Sequence, residues 1–146
     1  MASPSALDTL IELATNQTDD AAKRLGQAIR ACEDTEQKLA MLLQYREDYE
    51  ARLKAGMAAG MSAAGYRNFQ LFLEKLDTAI AGQQQIVNAA KQRITSERST
   101  WQSCERKRIS YDTLATRVEQ AELRKESRRD QKLMDEYATR QANYKR

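Results

Sequence analysis

A chain of 146 residues is long enough for one domain, but with 31% charged residues, 6% aromatics and a mean hydropathy of −0.77 it is too polar to bury a compact core. One Pro and five Gly leave little turn chemistry, so the length must be taken up by a few long helices. The apolar residues, 41% of the chain, are then confined to stripes, and their regular spacing argues against disorder.

The first element opens at Ser3-Pro4, a hydroxyl that can cap free amides followed by the residue best suited to the first helical position. From there a seven-residue repeat runs unbroken. Its a positions are Ile11, Thr18, Leu25, Cys32, Leu39, Arg46 and Leu53, and its d positions are Leu7, Ala14, Ala21, Ala28, Thr35, Leu42 and Tyr49. The pattern predicts a helix over about 4–54, roughly 75 Å long at 1.5 Å per residue. Its seam is small in the first half, where Ala14, Thr18, Ala21 and Ala28 stand, and larger from Leu39 onward. Gly26 lies off the seam and weakens the helix by about 1 kcal/mol relative to Ala.

Three of the five glycines fall in the next stretch, Gly56, Gly60 and Gly65, among Ala, Met and Ser. Small side chains and tolerance of positive φ predict a bend over about 55–65. A second repeat begins at Phe69 and continues through Leu73, Leu76, Ile80, Gln83, Val87, Ala90, Ile94, Glu97, Trp101, Cys104, Arg108, Tyr111, Ala115 and Val118, predicting a helix over about 66–140. Matching Leu53 to Phe69 makes partner numbers add up to about 122. Ala28 then meets Ile94, Ala21 meets Trp101 and Thr18 meets Cys104, so large residues fall opposite small ones. The fold class is therefore all-α, one long antiparallel two-helix coiled-coil hairpin formed by 1–146 as a single domain.

In this register everything after about Glu122 runs past the N-terminus. The overhang keeps helical spacing at Leu133, Met134 and Tyr137 yet has no partner within the chain, so it either frays or is covered by something else. Charge is divided between the arms: residues 1–54 carry 7 basic and 10 acidic side chains, net −3, and residues 55–146 carry 17 and 11, net +6. Cys32 and Cys104 are too few for a disulfide scaffold, and the register holds them far beyond disulfide reach.

Catalytic chemistry is missing from this pattern. There is no His, hence neither the usual general base near neutral pH nor the commonest metal ligand, and no phosphate-cradling Gly loop, Cys-x-x-Cys pair or nucleophile elbow. The reading is a non-enzyme without cofactor or metal. The basic runs at 105–108 and 124–132 are interrupted by acids and interleaved with no aromatic, which points to a solvated or protein-binding face and not to nucleic acid. No run approaches the ~20 apolar residues of a membrane span, and the first residues lack a signal peptide's basic start and apolar run, so a soluble, cytoplasmic protein is expected.

One segment of the overhang carries a specific signature: Asp130, Gln131, Lys132, Leu133, Met134, Asp135, Glu136, Tyr137, Ala138, Thr139 and Arg140. It resembles the C-terminal segment of the flagellar export protein family FliJ. The likeness is colinear through 6–10, 19–22, 37–42 and the run Asn68–Asp77. What the resemblance implies is a cytoplasmic protein of bacterial flagellum biogenesis, motility and chemotaxis, at the inner membrane flagellar base without spanning it. Such a protein is a stalk that inserts into the hexameric export ATPase, promotes ring assembly, links the ring to the export gate protein FlhA and escorts export chaperones. The resemblance assigns gate contacts to Phe72, Leu76, Ala79 and Gln83, spaced i, i+4, i+7 and i+11 on one helical face. Gln83 departs from a His found in some relatives. Leu76 and Gln83 also fall on the intramolecular seam, which leaves Phe72 and Ala79 as the better outward contacts. For the ATPase the candidates are Arg124, Arg128, Arg129 and the segment 130–137 with Arg140. Two other readings of the same residues stay open: the equivalent stalk of a virulence type III secretion system, and a self-associating structural coiled coil.

Overall fold

In a computed structural model the chain folds as two long helices packed against each other as a hairpin, with residues 4–145 described. The Ser3 cap expected from the sequence lies outside them. Helix α1 spans Pro4–Ala59 and helix α2 spans Ala63–Tyr144; no strand occurs among the described residues. Both helices run further than the sequence pattern suggested, and the bend shrinks to Gly60-Met61-Ser62. Alanine is the best helix former, so Ala55, Ala58 and Ala59 carry α1 through Gly56.

Among the described residues only Gly60 uses a left-handed conformation, at φ 91°, where it ends α1 with its N–H donating to the Met57 carbonyl at 3.3 Å. Ser62 then caps α2, its Oγ accepting from the Gly65 N–H at 3.1 Å. Gly65 serves by close approach: a Cβ there would sit 3.2 Å from Cγ of Met61, whose side chain folds back over the bend.

The chain divides into two units. The first, Asp19–Gln102, contains the bend. Its seam buries Ala21, Ala28, Cys32, Leu53, Leu76 and Val87, with Leu25, Leu39, Leu42, Ile80, Ala90, Ile94 and Trp101 half-buried. Ala21 has no exposed surface, as a small residue set against larger ones requires. Three cross-helix pairs, Arg46–Asp77, Arg24–Glu97 and Tyr49–Phe72, fall within one residue of the expected register. Two others come one turn short: Phe69 stacks on Tyr49 instead of Leu53, and Gln83 donates to the Thr35 carbonyl. A knob that fills a hole touches residues on successive turns of the facing helix, so both kinds of contact belong to one packing.

Polar seam positions are satisfied. Arg46 Nε lies 2.6 Å from Asp77 Oδ1, and that bond raises the guanidinium's pKa further. Burial, then a hydrogen bond to Glu36, pushes the Cys32 thiol up, leaving it a small apolar filler.

The second unit is Met1–Thr18 with Ser103–Arg146. Ala14 and Thr18 are buried, Thr18 returning its hydroxyl to the Ala14 carbonyl at 2.8 Å, while Leu7, Ile11, Cys104, Tyr111 and Ala115 are half-buried. Arg108 occupies its seam position by binding Glu105 and Asp112 on its own helix. Arg108 holds the Glu105 carboxyl below its ordinary pKa. The seam stops at Ala115 and not at Val118, which is 48% exposed. Both cysteines are free thiols.

Candidate functional site

Two surfaces stand out, one in each unit. The first follows the bend on α2. Phe72 is half-buried, its ring 4.3 Å from that of Tyr49 and 6.3 Å from that of Tyr45. Leu76 is buried, Ala79 is exposed, and Gln83 is half-buried with its amide nitrogen 3.0 Å from the Thr35 carbonyl. The four residues share one side of α2, but that side straddles the edge of the seam. Of the four only Ala79 is exposed, whereas Phe72 keeps part of its ring outward beside the two tyrosines.

The structure adds residues from α1 that the α2 stripe alone did not include. Lys38, Met41, Leu42, Tyr45 and Gln83 line a shallow groove beside it. Met41 and Tyr45 are exposed, yet neither occupies a seam position. Their signal in the sequence was weak, because an apolar residue flanking an a/d stripe is common on any coiled coil. What joins them to Phe72 is the Tyr45 ring contact across the helices.

The second surface is the end of α2. Every residue from Thr116 through Lys145 is exposed, while the helix continues to Tyr144. Arg124, Arg128, Arg129, Lys132 and Arg140 form no ion pair there, nor do Asp130, Asp135 and Glu136. Leu133, Met134 and Tyr137 are 63%, 73% and 65% exposed. Tyr137 is held by Gln141, whose amide nitrogen donates to the phenol oxygen at 2.9 Å. Gln131 is exposed. The apolar residues have also moved round the helix. Continuing the heptad beyond Ala115 puts Glu122, Lys125, Arg129, Lys132 and Glu136 on the seam face, whereas Leu123, Leu133, Tyr137 and Tyr144 lie to one side of it. A third helix laid along the old seam would meet charge, and a partner must approach from the flank.

Neither surface encloses a cavity, and no cluster of acidic, Cys or His side chains among the described residues has the arrangement of a metal site. No described helix is long and apolar enough to cross a membrane. The arrangement suits contact between macromolecules through exposed helical faces.

Comparison with known proteins agrees with this geometry. Residues 3–146 match the family described as "Flagellar FliJ protein". A protein of that name from Escherichia coli (strain K12) is 36% identical over 142 residues, covering 97% of both chains. Another, from Salmonella typhi, is 34% identical over the same length with the same coverage.

Proposed function

The chain belongs to the flagellar FliJ family, which makes it a component of the flagellar protein-export apparatus, and we propose that it is a non-catalytic stalk linking the hexameric export ATPase to the export gate. The observation that carries this reading is the bare end of α2, twenty-nine residues of helix from Thr116 to Tyr144 with no partner in the chain. A rod that enters a ring needs one end whose side chains are free of intramolecular contacts. This end offers exposed Leu133, Met134 and Tyr137 for burial and unpaired cations, Arg128 and Arg129 among them, to orient them.

The stripe Phe72, Leu76, Ala79 and Gln83, enlarged by Met41 and Tyr45, faces the gate protein FlhA. Leu76 and Gln83 act there by holding the helices together, and the outward atoms of Phe72, Ala79 and Tyr45 make the contact. Escort of export chaperones and a place in the cytoplasm beside the membrane belong to the same reading.

Charge reversal tests it. Arg128→Glu with Arg129→Glu changes two exposed side chains that make no ion pair, so helicity should not change. Association with the export ATPase should fall, and fall more in low salt than in high salt, because screening removes what the cations contribute. Equal affinity of the variant and the parent at low salt would refute the assignment.

A further inference from the structure

The tip of the hairpin sits in the longest stretch of the chain without an acidic residue. From Ala55 through Tyr66 there is no charged residue, and from Ala51 through Leu73 there is no acidic one. The tip presents Met57, 54% exposed, half-buried Met61, and Tyr66, 38% exposed, among exposed Ala58, Ala59, Ala63 and Ala64. Just behind it Arg52 and Lys54 on α1 and Arg67 on α2 form a collar, all three exposed and none in an ion pair. Of the nearest carboxylates further back, Glu50 on α1 is engaged by Arg46, and Glu74 on α2 makes no ion pair with the collar.

From this arrangement we propose that the tip docks on the surface of an anionic phospholipid bilayer. An uncharged cap of Met, Ala and Tyr is able to enter the headgroup boundary, where flexible thioethers fill irregular space and a phenol keeps its hydroxyl wet. Long cationic side chains one or two turns behind stay at headgroup level, their stems along the apolar surface and their charges against phosphate. A protein partner fits less well. The cations stand apart on two helices and do not converge on one carboxylate, and the depression lined by Met57, Met61, Ser62, Ala63 and Tyr66 is too shallow to anchor a side chain. The contact rests on the tip alone and is independent of the stalk assignment.

Cosedimentation of the full-length chain with vesicles tests this without any other protein. The chain should sediment with vesicles of phosphatidylglycerol mixed into phosphatidylcholine, stay in solution with phosphatidylcholine alone, and be released as salt is raised. At about a fivefold loss of partition per cation, Arg52→Glu, Lys54→Glu and Arg67→Glu together should lower binding by roughly a hundredfold or more. Met57→Ser removes insertion without touching charge and should weaken binding several-fold. Both variants should keep the parent's circular dichroism, because every altered side chain is exposed. Arg128→Glu with Arg129→Glu, at the other cationic surface, should bind vesicles as the parent does. The proposal is overturned by a parent chain that ignores anionic vesicles, by a triple variant that binds them as well as the parent, by loss of binding only in the Arg128/Arg129 variant, or by binding to polyglutamate without binding to vesicles.

Discussion

Replacing Phe72 with Ala separates the ring's part in the hairpin from its part in recognition. Truncating a fully buried Phe costs about 3–5 kcal/mol, and a ring that is half-buried loses roughly half of that. Its contacts with Tyr49 at 4.3 Å and Tyr45 at 6.3 Å are unequal, and only the closer one adds appreciably, by about 0.5–1.5 kcal/mol. The sum is about 2–4 kcal/mol, which in a chain of this size corresponds to a fall in Tm of roughly 5–15 °C. Because a native fold has about 5–15 kcal/mol in reserve, ellipticity at 222 nm and 20 °C should be close to the parent's, and the loss should show only on heating. Leu71→Ala, on an exposed side chain next in sequence, serves as the control and should leave Tm nearly unchanged. Binding to the gate protein's cytoplasmic domain, measured well below the transition, should also weaken. A Phe72→Ala chain with the parent's Tm would refute the three-ring cluster. One that unfolds in part at 20 °C yet binds normally would refute the recognition role.

Two further predictions concern the seam. Ala21→Trp places a large ring where the side chain has no exposed surface, and overfilling should lower stability by about 1–3 kcal/mol, seen as a lower urea midpoint; an unchanged midpoint would mean that the helices are not closely packed there. Glu105→Gln should lower Tm at neutral pH by removing the carboxylate that Arg108 binds. Since Arg108 depresses the carboxyl's folded-state pKa from its ordinary 4.5, this stabilisation is fully present above that value and lost as pH falls through the depressed one. The two chains should therefore converge in Tm in acid, and a gap as large there as at neutrality would contradict the pairing.

The seam was legible because a 3.5-residue period leaves few choices. Every a and d residue of α1, and every seam residue of α2 from Phe69 to Ala115, is buried or half-buried. The helix ends were less legible: alanines hide where a helix stops, and of Gly56, Gly60 and Gly65 only Gly60 takes the conformation that a glycine is needed for. The place of Phe72 depends on how two tyrosines on the other helix turn their rings, which heptad position does not specify. Counting along the register located the bare end of α2 to within about six residues, since the length of α1 sets where cover runs out. Arg128 or Tyr137 bears no chemistry that names a partner, so the ring-shaped ATPase came from resemblance. The cations Arg52, Lys54 and Arg67 were equally visible in the sequence, but only the hairpin brings both sides of the uncharged run to one tip.

The claim that the unpartnered end of α2 is the ATPase contact is tested most directly by a chain that stops after Val118. The paired seam reaches only to Ala115, so this truncation should leave the hairpin folded by circular dichroism and nearly unchanged in Tm. Measured against the full chain in a hydrolysis assay with the export ATPase, the shortened chain should give no stimulation. Stimulation equal to that of the full chain, from a truncated hairpin shown to be folded, would contradict the account.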